Sequence, residues 1–492
     1  MITNEQVESR KATSGLAKVR SRLSSTRLVQ NRGRVTQMIG LVVESQGPMA
    51  SVGEICRIDS QVTGQSTEAE VVGFRDRKLL LMPLGDVQGI CPGSEVIATG
   101  HSLRVPVGDE LLGRVINGLG QPLDDLGEVP RQSVAELNLN VPHPLRRERI
   151  TVPFVTGVKA IDTFTPLGRG QRMGIFAGSG VGKSTLMGMM ASQAEADVNV
   201  IALIGERGRE VRDFIERDLD EEGRKKSVIV VATSNEPALA RVKGTFLAMT
   251  IAEYFRSKGK NVLLMMDSVT RFAMAQREIG LAIGEPPSSR GYTPSVFSLL
   301  PQLLERAGNN EHGSITGLFN VLVEGDDIND PVADAARSIL DGHLVLSREL
   351  AAQNHYPAID VLDSVSRLAH DLLDARRRES MGAAREMLAI HKKSRDLISI
   401  GAYQSGSNPK IDRSIALHNP LNEFLQQNMG EGCSLEHSWQ ALEETMSPGG
   451  GEQNGTQSAH RENFGTPDAL QQPEGGIANA TPPSGQAAYE TI

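Results

Sequence analysis

The run Ala177-Gly178-Ser179-Gly180-Val181-Gly182-Lys183-Ser184-Thr185 sets small residues ahead of a lysine and two hydroxyls, after the apolar run 173–176 and at the head of the helix-forming run 185–191. Small residues let backbone N–H groups curl around phosphate oxygens, and a following helix N-terminus adds partial positive charge. In that layout residues Gly178, Ser179, Gly180, Val181, Gly182, Lys183, Ser184 and Thr185 would bind a nucleotide's phosphates. Lys183 would reach the β- and γ-phosphates, and the Ser184 hydroxyl would hold Mg2+. Ala177 stands where the strict pattern has glycine, but is also small.

Two further runs carry acids at strand ends. The apolar run 262–266 closes on Asp267-Ser268. A carboxylate at the C-terminal edge of a parallel strand beside a phosphate loop is placed to hold Mg2+, directly or through water; the competing reading is a strand-ending turn. The run 201–204 leads into Gly205-Glu206-Arg207-Gly208-Arg209-Glu210. Glu206 could orient and polarise the water that attacks a γ-phosphate. Residues 206–213 are mostly charged, which equally suits a solvated turn, and spacing leaves the two readings open.

The elements that must position these residues follow from periodicity. Residues 33–100 hold short β-rich runs (35–43, 70–74, 79–82, 95–98) divided by turn residues, which predicts a small β-barrel or sandwich. Over 101–378, apolar runs at 173–177, 198–204, 227–232, 261–266 and 317–323 alternate with helical stretches, which predicts a parallel sheet covered on both faces. Residues 379–446 read as helical, with Leu388, Ile390, Leu397 and Ile400 at helical spacing. The segment 447–492, with eight Gly and five Pro, predicts a disordered tail. In 1–32, Leu16, Val19 and Leu23 share one face while Lys18, Arg20, Arg22 and Arg27 lie elsewhere. That is either a basic amphipathic docking helix for a partner or acidic membrane surface, or a solvated tail.

Across 492 residues, 51 Lys plus Arg against 60 Asp plus Glu give a net charge of −9, which argues against nucleic acid as the partner of the whole surface. The charge is uneven: 1–34 carries eight bases against two acids, and 447–492 one base against five acids. Cys56, Cys91 and Cys433 have neither disulfide nor zinc spacing, so the expected location is the cytosol. The Arg- and Ser-rich start has some transit-peptide character, against which Glu5 and Glu8 count.

Taken together, residues 177–185, Gly205-Glu206-Arg207, and Pro357-Ala358-Ile359-Asp360-Val361-Leu362-Asp363-Ser364-Val365-Ser366-Arg367 resemble the catalytic subunits of rotary ATPases and their export relatives. The runs 264–280, with Ala273-Met274-Ala275-Gln276-Arg277-Glu278, and 284–297 are similar to the flagellar type III export ATPases, and point away from the virulence-injectisome branch. The resemblance spans about 33–427. It implies a β-barrel, a central RecA-like P-loop domain and a helical C-terminal domain. It implies Mg2+-dependent ATP hydrolysis by a cytoplasmic homohexamer attached peripherally to an inner-membrane export gate. Glu206 matches the residue that activates water, Arg207 a neighbour near the γ-phosphate, and Arg367 an arginine finger supplied across a subunit boundary. Tyr356 matches an aromatic that stacks on adenine, with Tyr403 a lesser candidate. The barrel would hold the ring, the N-terminal segment would meet a stator-like regulator, and the C-terminal domain would meet export substrates and chaperones. The tail after 446 and the basic run Lys410-Ile411-Asp412-Arg413 depart from the family pattern.

Three other readings compete. They are a rotary ATP synthase subunit, which stalk and rotor partners would indicate, a hexameric nucleic-acid translocase, and a ring subunit that binds nucleotide without turnover. Phe74, alone among aromatics in 33–100, weighs against the translocase, and Glu206 against the inactive subunit.

Overall fold

The computed structural model describes residues 30–60, 62–130, 133–137, 141–323 and 330–447. The expectations for 1–29 and for the tail from 448 onward lie outside the described residues. The first strands are β1 (Arg32–Ile39), β2 (Val42–Gln46), β3 (Glu54–Asp59), β4 (Ser66–Arg75), β5 (Lys78–Pro83) and β6 (Glu95–Ser102). They pair in the order β1-β2-β5-β4-β3-β6, and Gly33 opposite Val96 closes the barrel. The run 35–43 is two strands, not one, because the chain turns at Gly40 with φ +57°. Strand β3 escapes a reading by apolar runs because Glu54, Arg57 and Asp59 interrupt its buried Ile55, Cys56 and Ile58.

β5 shows why part of the barrel reads as continuously apolar. Leu79 and Leu81 fill the barrel, while Leu80 and Met82 point outward into the core of the next domain, so both faces are covered. That second core surrounds a sheet of β7 (Val115–Asn117), β8 (Arg172–Ala177), β9 (Val198–Ile204), β10 (Ser227–Ala232), β11 (Asn261–Asp267), β12 (Ser314–Leu322), β13 (Gly342–Leu346) and β14 (Val365–Ser366). The order is β14-β13-β8-β12-β11-β9-β10-β7, parallel throughout except for the edge strand β14. The sequence reading finds β8 to β12 and misses β7, β13 and β14, which are too short to show as apolar runs.

Alternate residues of each central strand feed two cores. Val200, Ala202, Leu264 and Met266 meet α2 (Ala238–Ser257), α3 (Val269–Ile283), α4 (Pro294–Leu304) and α5 (Pro331–Ile339). Ile201, Leu203, Leu263 and Met265 meet α1 (Lys183–Gln193), which follows β8. The C-terminal helices α6 (Ala375–Ser399), α7 (Pro409–Leu425) and α8 (Leu435–Met446) join this second core through Leu388, Leu417 and Trp439. They start at Asp374, Asn408 and Ser434, whose side chains accept from backbone N–H groups two or three residues on. The helical segment thus begins at Ala375 rather than 379. The expected apolar face is only half buried: Leu388 is covered, whereas Leu397, in the last turn of α6, and Ile400, just beyond its end, are 50% and 75% exposed. Lys410 and Arg413 have partners within the chain, Lys410 Nζ at 2.7 Å from Glu386 and Arg413 donating to Met446 O.

Helix α1 lies close against the segment Phe214–Asp218, downstream of Glu206. A Cβ on Gly188 would stand 2.1 Å from the Asp218 carbonyl oxygen. Backbone cannot yield there as a side chain would, so Gly188→Ala is expected to destabilise by about 1–3 kcal/mol in urea unfolding, and an unchanged midpoint would refute this packing.

Candidate active site

Crossovers in a parallel sheet bring the C-terminal ends of its strands to one edge, so residues distant in sequence meet there. β8 feeds residues 178–182 into α1, β9 feeds Gly205-Glu206, and β11 ends in Asp267, level with Leu203 of β9. Lys183, the first residue of α1, places Nζ 2.6 Å from Asp267 Oδ1 and 3.8 Å from Glu206 Oε1. The Lys183, Asp267 and Glu206 side chains are only 13, 5 and 12% exposed, so water screens this cluster weakly.

Burial, with the Asp267 charge next in weight, pushes Glu206 up to about 8 against the pull of Lys183. Glu210, hydrogen-bonded to Glu206, is held below its ordinary range, while its own partial burial opposes this. Glu206 Oε1 is buried without a hydrogen-bond partner among the described residues.

The loop between β8 and α1 has Gly178 buried, Ser179 and Gly180 exposed, and Val181 anchored at 2% exposure. Ser184 and Thr185 lie half-buried in the first turn of α1. Gly182 caps that helix with φ +87°, a conformation that favours glycine. A Cβ there would also meet the Tyr356 ring at 3.3 Å. Tyr356 therefore lies against the end of the loop while remaining 41% exposed. Tyr403 is occupied elsewhere, its hydroxyl bonded to Asn408 and Asp412 before and within α7.

Two expected residues are not brought to the cluster. The Arg207 side chain is 79% exposed and pairs with Glu210. Arg367 follows β14, where Ser366 pairs with Gly342, and His343 is level with Gly174 of β8. Ser366 is therefore level with Met173, four residues or about 13 Å of strand short of the loop after Ala177. Arg367 is exposed and donates to the Arg337 carbonyl at the far end of the sheet from its own chain's phosphate loop.

The chain matches the beta-barrel domain of the ATP synthase alpha/beta family over residues 35–100, that family's nucleotide-binding domain over 157–366, and the C-terminal domain of the T3SS EscN ATPase over 373–444. It is 53% identical to the flagellum-specific ATP synthase of Bacillus subtilis over 83% of this chain and 94% of that one. It is 47% identical to the type 3 secretion system ATPase of Sinorhizobium fredii over 84% and 91%. Among solved structures, the assembled EscN ATPase of enteropathogenic E. coli aligns with a TM-score of 0.80 at 44% identity, covering 84% of this chain and all of that one. The same ATPase with its central stalk EscO aligns at 0.78 and 43% identity, with the same coverage.

The chain belongs to the type III export ATPases of the ATP synthase alpha/beta family. It is accordingly an ATPase, with the barrel, parallel-sheet and helical parts in the order its sequence implies.

Two residues beside this cluster have no role in the sequence reading. Arg271 on α3 lays its stem against Gly205, where a Cβ would stand 2.7 Å from Arg271 Cβ, and its Nε is buried without a partner among the described residues. Its signal is its place one helical turn beyond Asp267. Glu210 lies one turn beyond Glu206 and shares its proton, but is indistinguishable in sequence from the other charges of that turn.

A carboxyl that keeps its proton to about pH 8 in the native state, and releases it near 4.5 when unfolded, makes stability fall as pH rises from 4.5 to 8. In nucleotide-free protein Glu206→Gln removes that dependence. It is expected to raise the melting temperature by about 2–5 °C at pH 8 and by little at pH 5; equal shifts at both values would show that the carboxyl is not held protonated.

Proposed function

We propose that the chain hydrolyses MgATP between neighbouring subunits of a homohexamer and thereby energises export of flagellar proteins. The observation that carries this reading is a site divided in two: Lys183, Glu206 and Asp267 at one end of the sheet, and Arg367 at the other. A closed ring sets one end of each subunit against the opposite end of the next, so the neighbour's Arg367 completes the site. An arginine finger is worth about 10^3 to 10^5 in rate, so assembly itself would switch on hydrolysis.

In this reading residues 178–185 bind the phosphates, Lys183 neutralises the β- and γ-phosphates, and Tyr356 stacks on adenine. Glu206 orients and polarises the attacking water, and can accept its proton only as the carboxylate, a form that the positive charge of Mg2+ would favour over the protonated form of the free chain. Arg207, paired with Glu210 in the free chain, reaches the γ-phosphate only after rearrangement, whereas Arg271 already lies beside Gly205. The Ser184 hydroxyl and Asp267 carboxylate are hard oxygen donors suited to Mg2+, with the partnerless Glu206 oxygen nearby. When bound there, the ion would offset phosphate charge.

The division into 33–100, 101–378 and 379–446 assigns ring contact to the barrel, catalysis to the sheet domain, and contact with substrates, chaperones and the export gate to the helices. The segment 1–32 would dock a stator-like regulator, and a stalk would occupy the ring as EscO does for EscN. A stalk by itself therefore does not separate an export ATPase from a rotary synthase. No helix among the described residues is long and apolar enough to cross a membrane, which agrees with a cytoplasmic protein held peripherally at the inner membrane. The run 273–278 favours flagellar over injectisome export. Phe74, 56% exposed, is the lone aromatic of 33–100, which gives nucleic acid no stacking platform there.

The divided site is tested with two inactive variants. Glu206→Gln and Arg367→Ala are each expected to lose at least about 10^3-fold in turnover. Mixed one to one before assembly, they should recover activity at about a quarter of the interfaces, those pairing an intact Glu206 with a neighbour's Arg367. No recovery, with rings formed, would place the arginine in its own chain's site. Restored motility of a flagellar export-ATPase deletion, without restored effector secretion in an injectisome deletion, checks the flagellar assignment.

A further inference from the structure

Gln427 follows α7 and is 7% exposed. Its backbone N–H donates to the Tyr356 carbonyl at 3.0 Å. Its side chain accepts from Lys159 N at 2.8 Å and donates to Gly157 O at 2.7 Å and to Glu431 O. The side-chain amide thus ties the connection between α7 and α8 to the loop 156–159 of the sheet domain, and so fixes the backbone N–H that holds the segment carrying Tyr356. That loop is itself pinned, since the buried Asp162 carboxylate accepts from Thr156 N, Thr156 Oγ1 and Gly157 N. Both ends of α1 meet the same assembly. Gly182 lies under the Tyr356 ring, and Gln193 Nε2 donates to Met429 O at 2.8 Å.

We infer that Gln427 is a positioning residue for the nucleotide base, holding Tyr356 over the phosphate loop so that displacement of the C-terminal helices changes affinity at the nucleotide site. The inference rests on the reading of Tyr356 as the base platform. An amide suits the place because it offers a donor and an acceptor in one plane. A carboxylate would lose the donor to Gly157 O, and an apolar side chain would lose the bonds to Lys159 N, Gly157 O and Glu431 O together.

The test is a double-mutant cycle on the full chain under ring-forming conditions. Gln427→Ala is expected to raise KM for ATP about tenfold with kcat within about threefold. The inhibition constant of inorganic tripolyphosphate, which has no base, should stay within about twofold. Tyr356→Ala should raise KM similarly, and the double variant should lie within about twofold of Tyr356→Ala alone. Additive effects, an unchanged KM in Gln427→Ala, or an equal loss of tripolyphosphate binding would overturn the inference. An unchanged KM in Tyr356→Ala would instead overturn the base-platform reading, and the inference with it. Trp439, the chain's only tryptophan and 3% exposed, reports C-terminal packing by its emission. If Gln427→Ala shifts it, the cycle is repeated with Gln427→Met, which keeps the volume. A shift in both variants would make Gln427 a structural residue and overturn the inference.

Discussion

One ammonium group serves two buried carboxyls at the C-terminal edge of the parallel sheet, and the rest of the chain is arranged around that shortage of positive charge. Lys183 bonds closely to Asp267 and only distantly to Glu206. In a weakly screened site the second carboxyl is left to hold a proton. Buried ionic clusters contribute little net stability, and removing one partner of such a pair is costly. The arrangement therefore serves chemistry rather than stability: a cluster short of cations is a ready receptor for a ligand that brings its own.

The sheet both assembles this cluster and denies it a fourth member. Parallel crossovers collect Lys183, Glu206 and Asp267 at one edge, and the antiparallel return of β14 carries Arg367 to the other. In the proposed reading a single chain thus carries the two parts of a nucleotide site at opposite ends. The barrel is fastened to the same sheet through Leu80 and Met82 of β5, and the C-terminal helices through the core they share with α1. Gln427 and Tyr356 connect those helices to the phosphate loop through one backbone hydrogen bond and the ring that lies against Gly182.

Legibility varied with how local the cause was. The phosphate loop was readable because its backbone geometry is encoded by its own small residues and adjoining strand and helix. Asp267 was nearly as clear, since a strand end beside such a loop leaves few places for a carboxylate. Glu206 was ambiguous because its neighbours are equally charged; only burial separates it from Arg207 and Arg209, which stay in solvent. The run 35–43 misled by continuing through Gly40, where a positive φ turns the chain. Leu397 and Ile400 keep the helical period yet stay exposed at and just beyond the end of α6, so periodicity alone overstated the buried face.

The sequence by itself determined the parallel sheet, the phosphate loop and the family, because runs, spacings and motif order are properties of neighbouring residues. Tertiary structure alone decided that Glu206 holds a proton, that Arg271 lies beside it, that Arg367 stands away from its own loop and that Gln427 touches Tyr356. Each of those depends on desolvation, strand register or contact between segments far apart in the chain, none of which a linear order of residues contains.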